Sequence, residues 1–362
     1  MADSQMLVFV GSYASAEQEA LYVYRFDSAK GALQKVSAFT GLPNPTFLAL
    51  HPGGRWLYSI GETGNYQGKR EGCVAAFAVD SSAGTVKLLN QQSTGGPGPC
   101  HLSVDAGGRC AVAANYSGGS VCALPIGDDG LLKPAASFHQ HSGQGPNTKR
   151  QEGPHAHSAN LSPDQRFVFV CDLGIDRVVA YALDAARSAL TPYPAGNLSL
   201  APGAGPRHMT FHPSRRFAYV INELGNTVDA CLYDETSGTL RIQQSVPTLP
   251  QGYTDESTTA DVHVSPDGRF LYGSNRGHDS LAIYAIDPVS GLLAPLGHES
   301  TRGRTPRNFG LDPSGNWLLA ANQATNNIIV FRRNPENGRL TPAGAVTDVP
   351  RPVCVKFLAV KP

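Results

Sequence analysis

The strongest constraint on this chain is a phrase that it repeats. An entry Pro or its equivalent, a short apolar strand, a turn related to Pro-x-Gly-Arg and a second apolar strand recur as NPTFLALHPGGRWLYSIGE, GPCHLSVDAGGRCAVAANY, PHAHSANLSPDQRFVFVCDLG, GPRHMTFHPSRRFAYVINELG, TTADVHVSPDGRFLYGSNRG and TPRNFGLDPSGNWLLAANQ. The turn arginine position is held by Arg55, Arg109, Arg166, Arg216, Arg269 and finally Asn316, giving steps of 54, 57, 50, 53 and 47 residues. A step of this size, filled with apolar runs and Gly, Pro, Asn and Asp punctuation and lacking any long helical period, matches one four-stranded propeller blade.

The chain ends supply the seventh blade. RPVCVKFLAV at 351–360 reads as a first strand without its second, and MLVFVGSYA at 6–14 as a second strand without its first. ALYVYRFD and GALQKVSAF then provide the two outer strands. Pairing the ends closes the ring and removes the exposed sheet edges that an open array would carry. The expectation is an all-β chain, a seven-bladed β-propeller forming a single domain over residues 1–362.

Composition excludes several partners. Twenty-nine basic and 29 acidic side chains leave no net charge to draw the chain to nucleic acid or an anionic membrane. MADSQMLVFVGSYAS has no basic region, and its apolar run is too short for a signal peptide core or a membrane span, so a soluble cytoplasmic protein is expected. The seven cysteines form no Cys-x-x-Cys pair and sit mostly in strand-like runs, as buried free thiols do. There is no Gly-x-Ser-x-Gly elbow, His-Glu-x-x-His, phosphate loop or dinucleotide fingerprint, and no cofactor is implied. The oligomeric state is left unassigned.

Chemistry must therefore come from the channel. The start of each first strand lies beside the end of the second, so one mouth collects both. The position after the entry Pro holds Thr46, Cys100, His157, Arg207, Ala260, Arg307 and Val353, and the next position Phe47, His101, Ser158, His208, Asp261, Asn308 and Cys354. The second strands end in Glu62, Tyr116, Leu173, Glu223, Arg276 and Gln323. His155 and His157, two apart, face one way in a regular strand. Two such histidines also suit a metal, but a third imidazole or a carboxylate is then needed; His101 and His208 are the histidines at that level, and a metal-free site is expected. At the opposite turns, His51, His212 and Asp312 read as turn caps. Asn115, Asp172, Asn222, Asn275 and Asn322, all six past the turn position, read as structural strand closers. The polar 140–153 segment, with Lys149 and Arg150, is either a lid or a surface loop.

PRHMTFHPSRRFAYVINE and SPDGRFLYGSNRGHDSLAIYAID, with PHAHSANLSPD before them, resemble the lactonase family of seven-bladed β-propellers, over the whole chain. The resemblance implies a lactone hydrolase acting on a small anionic lactone, 6-phosphoglucono-δ-lactone in the pentose phosphate route. It leaves open a carboxymuconate-type lactonising cycloisomerase; a propeller serving only as a binding scaffold is the third reading, since fold does not imply function. Carried over by position, the family's site of one His, two Arg and one Glu falls on His155 or His157, Arg207, Glu223 and Arg276. His157 is taken as the catalytic imidazole, with His155, His101, His208, Arg307 and Asn308 as substrate-binding positions. Whether His157 or Glu223 acts as base, and which arginine binds phosphate, stay open.

Overall fold

The computed structural model describes residues 6–360. Its strands form seven antiparallel sheets, six of them in chain order from the channel outward. Blade 1 is the shared one: Pro352–Ala359 pairs with Met6–Ser12, followed by Leu21–Asp27 and Ala32–Phe39. Blades 2 to 7 begin with Leu48–Leu50, Pro99–Val104, Ala156–Leu161, Pro206–Phe211, Thr258–Val264 and Pro306–Leu311. These first strands neighbour one another around the channel, and that of blade 7 lies against Pro352–Ala359, so the ring closes through the two chain ends as expected.

Second strands such as Cys110–Asn115, Phe217–Asn222 and Trp317–Asn322 are buried at every residue. Each is covered on both faces by neighbouring blades, which is why these runs are continuously apolar and do not alternate. Outer strands such as Leu293–Ser300 are mostly exposed. Tyrosines lock the blades together: Tyr58, Tyr219 and Tyr272 donate to the carbonyls of Gly130, Gly291 and Gly338, 66 to 72 residues further along.

Blade 4 departs from four strands. Its outer strand Ala189–Pro192 breaks off, a short 3-10 turn at Pro194–Gly196 follows, and Leu198–Ser199 resumes pairing with Arg177 and Val178. Pro192 and Pro194 have no N–H to donate to a ladder, so the interruption falls where the backbone cannot pair.

The feature that builds the mouth is a repeated β-bulge. Pairing skips one residue of the first strand between Pro99 and His101, Ala156 and Ser158, Pro206 and His208, and Pro306 and Asn308, and shifts between Thr259 and Val262 in blade 6 and opposite Gly11 and Ser12 in blade 1. The skipped residues are Cys100, His157, Arg207 and Arg307 in the first four cases. A bulge leaves one residue unpaired and re-aims its side chain. Two consecutive residues thereby serve the channel, and side chains of neighbours such as Arg207 and His208 meet.

Candidate active site

Glu223 is the hub of the mouth. It follows the last residue of the second strand of blade 5, and its amide donates to the Gly205 carbonyl, which fixes its direction. Its Oε2 accepts from Arg207 Nε at 2.9 Å and lies 2.9 Å from Arg276 Nη2, while Oε1 accepts from Arg150 Nη2 at 2.6 Å. Arg207 continues through Nη1 to the Ala260 carbonyl at 2.6 Å, and Arg276 through Nη2 to the Thr259 carbonyl at 2.7 Å. Burial would raise the Glu223 carboxyl, but Arg276, Arg207 and Arg150 together hold it well below the usual carboxylate range.

His157 faces this hub, with Nε2 3.9 Å from Glu223 Oε2. Its other nitrogen, Nδ1, lies 3.6 Å from the Cys100 sulfur, which also donates to the His157 carbonyl at 3.2 Å. Burial, reinforced by Arg207, His208 and Arg307, holds the imidazole well below its ordinary pKa, so it is neutral at pH 7. Burial and Arg307 likewise lower Arg207, and burial with Arg207 and Arg307 lowers Arg276 against the pull of Glu223.

His155 goes elsewhere. It stacks on Tyr116 with ring centroids 4.5 Å apart, and its ring nitrogens meet the Tyr116 carbonyl at 3.0 Å and Glu152 at 3.2 Å. His157 meets the edge of the same tyrosine. The simple two-residue alternation does not describe this pair, because His157 occupies the bulge.

Beside the hub lies a polar network. His208 Nδ1 sits 2.7 Å from Asp261 Oδ1 and its Nε2 is 3.2 Å from Arg207 Nη1. Since Arg207 can only donate, the Asp261 contact fixes the tautomer with the proton on Nδ1. Burial and Arg207 push His208 down to about 4 despite Asp261. Asp261 Oδ2 accepts from Asn308 Nδ2 at 2.5 Å and meets His263 Nε2 at 2.9 Å, and Asn308 Oδ1 accepts from the Val355 amide at 2.8 Å. Both ends of the Asn308 amide are thus engaged by protein. His101 packs against Phe47, 4.2 Å between centroids, and against His208 at 5.4 Å.

Across the mouth, Tyr13 donates to Glu62, Thr46 donates to the same carboxylate, and Arg307 lies over the Tyr13 ring at 5.6 Å. A cavity there is lined by Thr46, Glu62, Cys100, Arg207, His208 and Arg307 among others.

The structure thus brings His157, Arg207, Glu223 and Arg276 together, with His208, His101 and Asn308 beside them and Arg307 across the cavity. Sequence reasoning missed the Arg150–Glu223 and His208–Asp261 pairs. Asp261 had a signal, being a carboxylate at the same repeat position as His208. His51 and His212 are turn caps as expected, accepting from the amides of Gly53 and Ser214, and each also reaches the next blade's turn, at Gly108 and Gly268. Asn115, Asn275 and Asn322 are buried and donate to the carbonyls of Thr94, Thr248 and Thr301, closing strands as expected.

Among the described residues, no three His, Cys, Asp or Glu side chains gather as a metal-binding group, and no helix is long and apolar enough to cross a membrane. All seven cysteines are buried and free.

Fold and mouth define a seven-bladed propeller carrying an imidazole and a guanidinium-clamped carboxylate at one end of its channel. Residues 7–357 match the family model "Lactonase, 7-bladed beta-propeller", and the chain belongs to that family. A protein named 6-phosphogluconolactonase from Bacillus subtilis is 41% identical over 350 residues, 97% of each chain. A solved structure from Bacteroides fragilis superposes with a TM-score of 0.92 at 37% identity, covering 99% of both chains. The Pseudomonas aeruginosa periplasmic gluconolactonase does so with a TM-score of 0.90 at 33% identity, covering 99% of this chain and 100% of that one.

Proposed function

We propose that the protein, acting as one domain, hydrolyses 6-phosphoglucono-δ-lactone to 6-phosphogluconate, with His157 as general base and Glu223 as organiser of the arginines. The observation that carries this reading is the clamp on Glu223. Both its oxygens are engaged by guanidinium groups, which makes it a poor proton acceptor. His157 is neutral and its Nε2 is the uncommitted nitrogen closest to that carboxylate.

In this mechanism His157 takes a proton from water as the water oxygen attacks the lactone carbonyl carbon. Negative charge develops on the carbonyl oxygen, where Arg207 and Arg276 stabilise it. The imidazolium that forms lies 3.9 Å from Glu223 and returns its proton to the ring oxygen as the C–O bond breaks. No metal or cofactor enters any step. The 41%-identical Bacillus protein carries this activity in its name. The reading assigns the protein to the oxidative pentose phosphate route and to the cytoplasm.

The test is ring opening of a lactone panel by the purified protein: 6-phosphoglucono-δ-lactone, glucono-δ-lactone and a carboxymuconolactone. Fastest turnover of the phosphorylated lactone is expected. Turnover of the muconolactone alone would replace hydrolysis by the cycloisomerase reading, and binding without turnover would leave the scaffold.

A further inference from the structure

The charges at the mouth do not balance. Arg150, Arg207, Arg276, Arg307 and Arg351, the last also over the Tyr13 ring, face three carboxylates, Glu62, Glu152 and Glu223, a formal excess of +2 in a chain whose formal net charge is zero. His101, His157 and His208 are held neutral and do not alter this count. Lys356, over the Phe47 ring, and Asp261, beside His208, offset each other. Unpaired charge held away from bulk water is costly, so a site that keeps it is suited to an anion of matching charge.

Of the arginines facing the cavity, Arg307 is the one whose guanidinium has no hydrogen-bonding acceptor among the described residues. Arg150, Arg207 and Arg276 each have a nitrogen within 2.9 Å of Glu223. Arg307 has no hydrogen bond or ion pair to any described residue, and its nitrogens are not sealed from solvent. It rests on Tyr13, whose hydroxyl is fixed by both oxygens of Glu62 at 3.0 Å. Glu62 in turn is engaged by two hydroxyls, those of Tyr13 and Thr46. Arg307 is therefore supported from below and lacks a protein acceptor for its fork. Across the same cavity, Arg207 spends Nε and Nη1 on protein groups and leaves Nη2 without a protein partner among the described residues.

We infer that Arg307 is the subsite for a phosphate monoester dianion, leaving Nη2 of Arg207 to the carbonyl oxygen, and that Arg307 sets the preference for a phosphorylated over an unphosphorylated lactone. A guanidinium fork matches two phosphate oxygens, and a phosphate monoester carries a charge of about −1.5 to −2 at pH 7, close to the excess at the mouth. The lactone half of this assignment rests on the function proposed above; the phosphate half rests on the charge excess and on the guanidinium of Arg307 that lacks a protein acceptor among the described residues.

The experiment has two arms. In the first, Arg307→Gln is assayed on 6-phosphoglucono-δ-lactone and glucono-δ-lactone. The ratio of kcat/KM between them is expected to fall by about ten- to a hundredfold, through KM, as for loss of hydrogen bonds to a charged group. A ratio within about twofold of wild type, or a loss shared equally by both lactones, overturns the assignment. In the second, glucose 6-phosphate, with inorganic phosphate in parallel, is titrated calorimetrically into wild type and variant. Affinity for the sugar phosphate should drop by the same factor, and equal affinities overturn the subsite. If neither lactone is turned over, the hydrolase reading fails while this second arm still decides the subsite. Should Arg307→Gln not fold, Arg307→Lys keeps the charge but not the fork, and a loss of about tenfold is expected in both arms. Unchanged values for the lysine variant would count against the assignment.

Discussion

Arg150 places Nη2 2.6 Å from Oε1 of Glu223, although the two lie 73 residues apart and the arginine belongs to the link between blades 3 and 4. The 140–153 segment is fastened at both ends. His141 bridges Asp172 at 2.6 Å and the Tyr181 hydroxyl at 2.9 Å, and buried Gln151 donates to Asp176 and to the Leu173 carbonyl. It is a strap that carries a cation to the mouth. The Arg150 side chain is 39% exposed, so its pair with Glu223 is partly screened by water. Arg150→Ala should lower kcat/KM by about tenfold or less and leave the thermal midpoint nearly unchanged. Loss of all activity would make it part of the chemistry.

Glu223 should behave differently. Replacing it by Gln leaves Arg207 and Arg276 buried without their counter-charge, and breaking a buried pair from one side costs about 3–5 kcal/mol. Its folded pKa is depressed, so the stability it contributes is complete above the unfolded value of about 4.3 and is lost as pH falls toward the folded value. Unfolding curves against pH should show wild type losing stability below about pH 4 more steeply than Glu223→Gln. Parallel curves would mean that the carboxylate is not clamped in solution.

The pH dependence of catalysis follows from His157. Its neutral form is the base, and burial with Arg207, His208 and Arg307 holds its pKa well below 6.5. Activity should stay flat from pH 8 down through about pH 6.5 and fall only at more acid pH. His157→Ala should cut kcat by about a hundredfold or more. His51→Ala and His212→Ala, on the opposite turns, should leave turnover unchanged. An acid limb centred at or above about 6.5 would assign the base to another group.

The ring closure is tested by deleting residues 351–362. This removes Pro352–Ala359, the channel-lining strand of blade 1, and leaves an edge of Met6–Ser12 unpaired. The truncated chain should aggregate or lose cooperative unfolding. A thermal transition like that of the full chain would contradict closure through the ends.

Chelation should have no effect. His101, His157 and His208 approach one another, with centroids of 5.4 Å to His208 in both cases, but His208 already binds Asp261 and Arg207, so a guanidinium stands where a cation would sit. Activity should survive dialysis against a strong chelator. Loss restored by added Zn²⁺ would refute a metal-free site.

The fold was legible because each blade repeats the same turn and the same pair of apolar strands, and because the two unmatched strands stand at opposite ends of the chain. The mouth was legible for the same reason: Arg207 and Glu223 hold fixed offsets from one turn, and antiparallel pairing of Pro206 with Asn222 carries them together. The bulges were not legible. A skipped residue changes no apolar pattern, yet it decides that Arg207 and His208 meet each other and that His157, not His155, faces Glu223. Arg150 was named only as part of an extended polar segment. Its destination depends on where His141 and Gln151 anchor that segment, contacts to Tyr181 and Asp176 that no local pattern announces.

The central claim is that Arg207 and Arg276, held by Glu223, stabilise the charge that develops on the lactone carbonyl oxygen. Its most direct test is the rate of 6-phosphoglucono-δ-lactone hydrolysis, above the spontaneous rate, by wild type, Arg207→Ala and Arg276→Ala with folding checked by thermal unfolding. Each variant should fold and lose about a hundredfold or more in kcat/KM. Wild-type values in both folded variants would contradict the account.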